Sequence, residues 1–104
     1  MKTVEDLSYE HAREAVRRIL ATTDGRELAW ELLDQAGVYR LSYAGDPYET
    51  AFREGRRSIG TWFLDLLFQV APDEYARLRA EAAARAEYFR ARIGALHEAP
   101  DQVE

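Results

Sequence analysis

Hydrophobic residues recur at steps of three and four along four segments of this chain, which predicts four amphipathic α-helices. The segments cover residues 8–22, 26–36, 46–70 and 73–97. Glycine, proline, threonine and aspartate lie between them, and these are the residues that usually begin and end helices. The pattern predicts an all-α fold, a compact four-helix domain with a longer C-terminal helix.

The third segment has the densest apolar face, so we expect the rest of the chain to cover it. Asp46, Pro47 and Glu49 predict a capping box with proline at the first helical position. Gly55 and Gly60 lie inside the pattern, and each favours either a close approach of another backbone, a kink, or a tolerated exposed glycine. The apolar face comprises Tyr48, Phe52, Ile59, Trp62, Phe63, Leu66, Leu67 and Val70.

The first two helices read as covering helices. Thr3 or Ser8 can cap the first helix, and Gly37 is placed just past the end of the second. Trp30 is either a core residue or a platform for a ligand, and we expect it in the core. The second helix presents Leu28, Leu32 and Leu33 on one side, and its apolar surface is extended by Ala29, Trp30 and Ala36.

The last helix carries one narrow apolar seam, with a charged face opposite to it. Such a seam suits a two-helix contact, either with the third helix or, in its far half, with another chain. A homo-oligomer formed through this helix is therefore one expectation. The seam residues, spaced 3, 4, 4, 3, 4 and 3, are Tyr75, Leu78, Ala82, Ala86, Phe89, Ile93 and Leu96.

The connection over residues 38–45 has unusual content for a link between helices, because it contains Tyr39, Arg40 and Tyr43. Two interpretations stay open. The loop wraps over the core with its aromatic residues buried, or it presents these three side chains to a partner, since tyrosine and arginine are enriched at interface hot spots.

The tightest cluster of positive charge in the chain comprises Arg53, Arg56 and Arg57. These residues are neighbours because helix positions three and four apart share a surface. They are either an anchor for a carboxylate, a phosphate or an acidic partner, or a solvated helix face. Glu49 can pair with Arg53 and dilute the cluster. The candidate protein-binding residues are therefore Tyr39, Arg40, Tyr43, Arg53, Arg56 and Arg57.

The composition predicts one globular domain over residues 1–97, followed by an acidic flexible tail at 98–104. The chain has 104 residues, of which 47% are hydrophobic and 32% charged. Its net charge of −5 argues against a non-specific DNA-binding protein, which must neutralise phosphates. The N-terminus does not read as a signal peptide, and no apolar run is long enough to span a membrane.

Motifs for catalysis are missing. The chain has no cysteine and two histidines that are isolated in sequence, so no metal or cofactor is expected. The segment Gly55–Gly60, GRRSIG, lacks the lysine and hydroxyl residue that end a phosphate-binding loop. We expect no enzymatic activity and no catalytic residues.

Three short motifs occur in order along the chain: Ala36–Tyr39, AGVY, then residues 49–60, ETAFREGRRSIG, and Pro72–Tyr75, PDEY. This ordered set resembles a small family of tailed-phage and prophage proteins whose type member is from a Bordetella podophage. The match covers about residues 23–80. Such proteins are usually encoded among virion and packaging genes, so the resemblance implies a role in the phage particle or its morphogenesis.

These observations together predict a non-enzymatic phage protein that acts by protein–protein interaction, as a virion or morphogenesis accessory component. The expected partner is a phage structural or assembly protein, or a host protein, and the expected location is the host bacterial cytoplasm or the virion. The alternative is a phage-encoded inhibitor of a host defence system or host enzyme. A nucleic-acid-binding packaging factor is a third interpretation, and it predicts salt-sensitive DNA binding.

Overall fold

The computed structural model describes residues 1–98 as four α-helices, and no strand occurs among those residues. The all-α, four-helix prediction is confirmed, and the last helix is the longest at 27 residues. The predicted tail lies outside the described residues, except for Glu98, which ends the last helix. In chain order the helices are α1 Val4–Leu20, α2 Thr23–Gln35, α3 Pro47–Val70 and α4 Pro72–Glu98.

Threonine caps set the start of the first two helices. The Thr3 hydroxyl accepts a hydrogen bond from the Asp6 amide at 3.1 Å, and the Asp6 carboxylate accepts one from the Thr3 amide at 3.0 Å. This capping box begins α1 four residues before the predicted start, so Thr3 rather than Ser8 is the cap. The Thr22 hydroxyl caps α2 by accepting from the Gly25 amide at 2.9 Å.

The predicted start and end of α3 are confirmed. Asp46 caps the helix by accepting from the Tyr48 amide at 3.4 Å, and Pro47 is the first helical residue. Glu49, which we expected to complete a capping box, instead accepts a hydrogen bond from Arg53 Nε at 3.1 Å. The helix continues through Gly60 to Val70 without a break.

The core is small and takes residues from all four helices and from the loop that follows α2. Partly buried Trp30 packs against it, which agrees with the expectation that this residue belongs to the core. Burial of seven apolar side chains is the main source of stability in a domain of this size. These residues, each 8% exposed or less, are Leu20, Ala29, Leu33, Val38, Leu67, Tyr75 and Leu78.

Gly60 lets α3 approach the end of α2. A Cβ atom at this position would lie 2.5 Å from Ala36 Cβ and 2.5 Å from Val38 Cγ2. The close approach that the sequence suggested is therefore confirmed at Gly60. At Gly55 a Cβ atom would meet nothing within 4 Å, so this glycine is not required by packing.

The expectation that the whole apolar face of α3 is buried is wrong for four of its eight residues, of which two are near the N-terminus and two are near Gly60. Tyr48, Phe52, Ile59 and Trp62 are between 60% and 87% exposed. The buried residues of α3 begin at Gly60, because the other helices cover only the C-terminal half of this helix.

The buried side of α2 also differs from the predicted side. Arg26, Ala29 and Leu33 are buried, whereas Leu28 and Leu32 are 57% and 52% exposed. The buried positions are spaced 3 and 4, as the helical period requires. Ala29 and Leu33 were part of the predicted apolar surface, so the prediction was right for these two residues and wrong for Leu28 and Leu32. The apolar periodicity could not assign a charged residue, Arg26, to the interior.

The ends of α3 and α4 that are farthest from their connection project from the core. Ala71 is the single residue between the two helices, and Phe68 packs on Tyr75 across it with ring centroids 4.5 Å apart. Buried residues of α4 occur only in its first part, up to Ala82. The Cα atoms extend over 75 Å along the longest axis of the molecule. This extent is close to the summed lengths of α3 and α4, which are about 36 and 40 Å.

Candidate protein-binding surface

Three of the six predicted site residues line one cleft. Arg40 from the loop and Arg53 and Arg56 from α3 surround a space of about 340 Å³, which we term the arginine cleft. The loop brings Arg40 to α3 because Gly37, with φ of +75°, turns the chain after α2. The cleft is completed by Ala36, Gly37, Leu41, Ser42 and Glu49.

The three arginines of this cleft have different local partners. Arg40 Nη2 donates to Asp34 Oδ1 at 3.1 Å, and Arg53 Nε donates to Glu49 at 3.1 Å. The guanidinium carbon of Arg56 lies 5.2 Å from the centre of the Phe52 ring. A contact over an aromatic face leaves the N–H donors of Arg56 accessible, so Arg56 is the best placed of the three to bind an anionic group.

An apolar groove adjoins the arginine cleft, and sequence reasoning did not find it because its residues were expected in the core. Leu32 from α2 and Ile59 and Trp62 from α3 are more than half exposed around a space of about 530 Å³. Arg56 and Ala36 line both spaces, so the groove and the cleft form one continuous surface. The other groove residues are Gln35, Gly60 and Phe63.

Tyr39 lies apart from the arginine cleft, against the core. Its ring stacks on Trp30 with centroids 5.7 Å apart, and its hydroxyl is hydrogen-bonded to the hydroxyl of Tyr75. The guanidinium carbon of Arg79 lies 4.8 Å from the centre of the Tyr39 ring. The first part of the loop therefore packs on the core, but the interpretation that buries its aromatic residues holds only in part, because Tyr39 is 43% exposed.

The environment of the Tyr39 hydroxyl favours its neutral form. Burial and the hydrogen bond with Tyr75 together raise the pKa of Tyr39 to about 12, although nearby Arg79 acts in the opposite direction. Tyr39 therefore stays protonated to a higher pH than an exposed tyrosine does, and it serves as a hydrogen-bonded part of the packing.

Tyr43 and Arg57 each lie in a different recess. Tyr43 is 78% exposed beside Pro47 and Thr50, at the start of α3. Arg57 lines a recess with Glu54, Ser58, Thr61, Trp62 and Asp65, which does not include the other two arginines of α3. The structure thus brings Arg40, Arg53 and Arg56 together and places Tyr39, Tyr43 and Arg57 elsewhere.

Two kinds of feature are absent from residues 1–98. Within this range, no group of three or more histidine, cysteine, aspartate or glutamate side chains is arranged to hold a metal ion. None of the helices in the same range combines the length and the apolar character needed to cross a bilayer.

Comparison with known proteins identifies a family. No curated protein and no solved structure matches the chain. The model of a family described as Bbp19-like phage protein matches residues 16–86, which is more than half of the chain. This span includes the motifs that resemble phage proteins and runs from Val16, which packs on the core, to Ala86, which is half-buried in α4. The chain belongs to the Bbp19-like phage protein family.

Proposed function

We propose that this phage protein has no enzymatic activity and acts by binding another protein, as an accessory component of the virion or of its assembly. Membership of a phage protein family supports the general setting. The observation that carries the proposal is the apolar groove beside the arginine cleft.

The groove has the composition of a protein interface. Ile59 and Trp62 are 69% and 60% exposed, and Leu32 faces them from α2. Apolar side chains grouped on a surface mark binding sites more often than single exposed residues do. Tryptophan and arginine are the residue types that most often dominate binding energy, and the groove contains Trp62 with Arg56 at its edge.

The groove is also held in shape before any partner binds. Its base lies where Gly60 meets Ala36 and Val38, so the spacing of α2 and α3 there is fixed by close packing. A surface on two packed helices loses little conformational freedom on binding, which favours affinity.

The partner that fits this surface presents an apolar side chain to the groove and a carboxylate to Arg56. Because the chain belongs to a phage protein family, we propose that this partner is a structural or assembly protein of the phage. The protein then acts where that partner is, in the host cytoplasm during assembly or in the finished virion.

The test is an affinity pull-down of the tagged full chain from phage-infected cells, with the bound proteins identified by mass spectrometry. Wild type is compared with Arg56→Glu and Ile59→Glu, which change the cleft and the groove. Arg57→Glu is the matched control, because Arg57 lies on the same helix in a different recess. We expect wild type and the control to recover portal, capsid or tail components, and the other two variants to lose them.

Two results would contradict the proposal. Recovery of a host nuclease or a host defence complex would favour an inhibitor directed at the host. Loss of the phage partner in Arg57→Glu alone would move the binding surface to the other recess of α3.

A further inference from the structure

The apolar seam of α4 changes its environment halfway along the helix. Leu78 and Ala82 are 0% and 7% exposed, whereas Phe89, Ile93 and Leu96 are 55%, 52% and 65% exposed. The same stripe of one helix is therefore core in its first half and open surface in its second half. We term Ala86, Phe89, Ile93 and Leu96 the distal seam.

The distal seam has the spacing of a helix–helix contact. Its residues are separated by three, four and three positions, which is the a and d pattern of a heptad repeat. Such a stripe accepts one further helix, which packs along it by inserting side chains between the exposed ones.

Basic residues follow both edges of the distal seam. In the heptad frame, Arg85 and Arg92 occupy the g positions, and Arg90 and His97 occupy the e positions. Arg85 pairs with Glu27 at 3.6 Å at the end nearest the core. Arg90 pairs with Glu87, which lies on the outer face, at 2.9 Å.

This charge pattern distinguishes between possible occupants. In a pair of identical helices, the e and g side chains of one helix lie opposite the e and g side chains of the other. This holds for both parallel and antiparallel pairs. A second copy would therefore set Arg90 and Arg92 against basic side chains. A helix with glutamate or aspartate at its flanking positions would meet opposite charge along both edges.

We propose that the distal seam is a second docking surface, which binds an amphipathic helix with acidic flanks from a different protein. The surface shares no residue with the groove or the arginine cleft. Its three exposed residues also lie outside residues 16–86, the part matched by the family model.

The test uses the full chain and two synthetic three-heptad peptides, labelled with a fluorophore. Both peptides have leucine at a and d. One has glutamate at all e and g positions, and the other has lysine there. Binding is measured by fluorescence anisotropy at low and high salt, and self-association is measured by sedimentation equilibrium. The variant is Ile93→Glu, and the matched control is Ala91→Glu, which lies exposed at the f position, on the opposite side of the same helix from the seam.

We expect the glutamate peptide to bind at least about tenfold more tightly than the lysine peptide at low salt, with a smaller difference at high salt. Ile93→Glu removes this binding and Ala91→Glu retains it. Three results would each overturn the proposal: no binding of the glutamate peptide, equal binding of both peptides, or a dimer of the wild-type chain that Ile93→Glu dissociates. The last result would identify a second copy as the occupant. Neither substitution alters the groove, so this outcome is independent of the pull-down with Arg56→Glu.

Discussion

Arg26 forms a two-bond contact with Glu81 across the interface of α2 and α4. Its Nε and Nη2 atoms donate to the two carboxylate oxygens at 2.9 and 3.0 Å, while Arg26 itself is only 5% exposed. Its remaining nitrogen, Nη1, donates to the Leu20 carbonyl at 2.9 Å, where α1 ends. One side chain thus connects three helices.

Replacing Arg26 by alanine should destabilise the fold strongly. The substitution leaves the Glu81 carboxylate and the Leu20 carbonyl without their buried donor, and such groups are costly to leave unpaired. Arg90→Ala is the control, because its pair with Glu87 is exposed and should contribute about 0.5 kcal/mol or less. Urea unfolding followed by circular dichroism measures both. A loss in Arg26→Ala no larger than that of the control would show that the contact does not stabilise the fold.

Acid should weaken the same contact. Hydrogen bonding and charge from Arg26 lower the pKa of Glu81. A carboxyl group with a lowered folded pKa adds stability that is present above its unfolded pKa and lost as pH falls through the folded value. The urea midpoint of wild type should therefore exceed that of Glu81→Gln at neutral pH, and the difference should narrow below about pH 4. A constant difference throughout this range would contradict the assignment.

Gly60 and Gly55 should respond to alanine with opposite signs. At Gly60 the new methyl group meets Ala36 and Val38 at 2.5 Å, so overpacking should cost about 1–3 kcal/mol. At Gly55 an added Cβ atom would meet nothing within 4 Å apart from the backbone of its own helix, and the higher helix propensity of alanine should add about 0.5–1 kcal/mol. Thermal and urea unfolding of the two single variants measure the signs. Stabilisation by Gly60→Ala would show that α2 and α3 are not in close contact.

Tyr39 should titrate later than an exposed tyrosine. Its pKa is raised to about 12, whereas Tyr43 is largely exposed on the same loop. Ultraviolet absorbance reports the ionisation of tyrosines during an alkaline titration. Compared with wild type, Tyr39→Phe should have one tyrosine fewer in the late-ionising group, which ionises at the highest pH. A raised folded pKa also means that this contribution to stability is complete below about pH 10 and is lost above it. A loss from the early-ionising group in Tyr39→Phe would contradict the buried contact with Tyr75.

Helix positions were more predictable from the sequence than burial was. The ends of α3 were predicted correctly because Asp46, Pro47 and Pro72 act locally on the backbone. The burial of Tyr48 and Ile59 was predicted wrongly, because periodicity identifies an apolar face and does not show whether another element covers it. Whether a face is covered depends on where the other helices pack, and the sequence of the helix itself does not determine where they pack.

The same distinction applies to the candidate site. Arg53 and Arg56 could be grouped from the sequence since they are neighbours on one helix. Arg57 could not be distinguished from them, because a small difference in direction around the helix axis decides which recess a side chain lines. Leu32 joins the groove only through the packing of α2 on α3, and the burial of Arg26 depends on Glu81, a distant residue on another helix.

The single residue that joins α3 to α4 also has a mechanical consequence. Ala71 offers only two soft backbone torsions, and the contact of Phe68 with Tyr75 restrains them from either side. The groove on α3 and the distal seam on α4 are therefore held at a fixed angle to each other by a rigid connection. Two proteins bound to these surfaces would be held in a fixed orientation relative to each other. The molecule would therefore set the angle between its partners as well as join them.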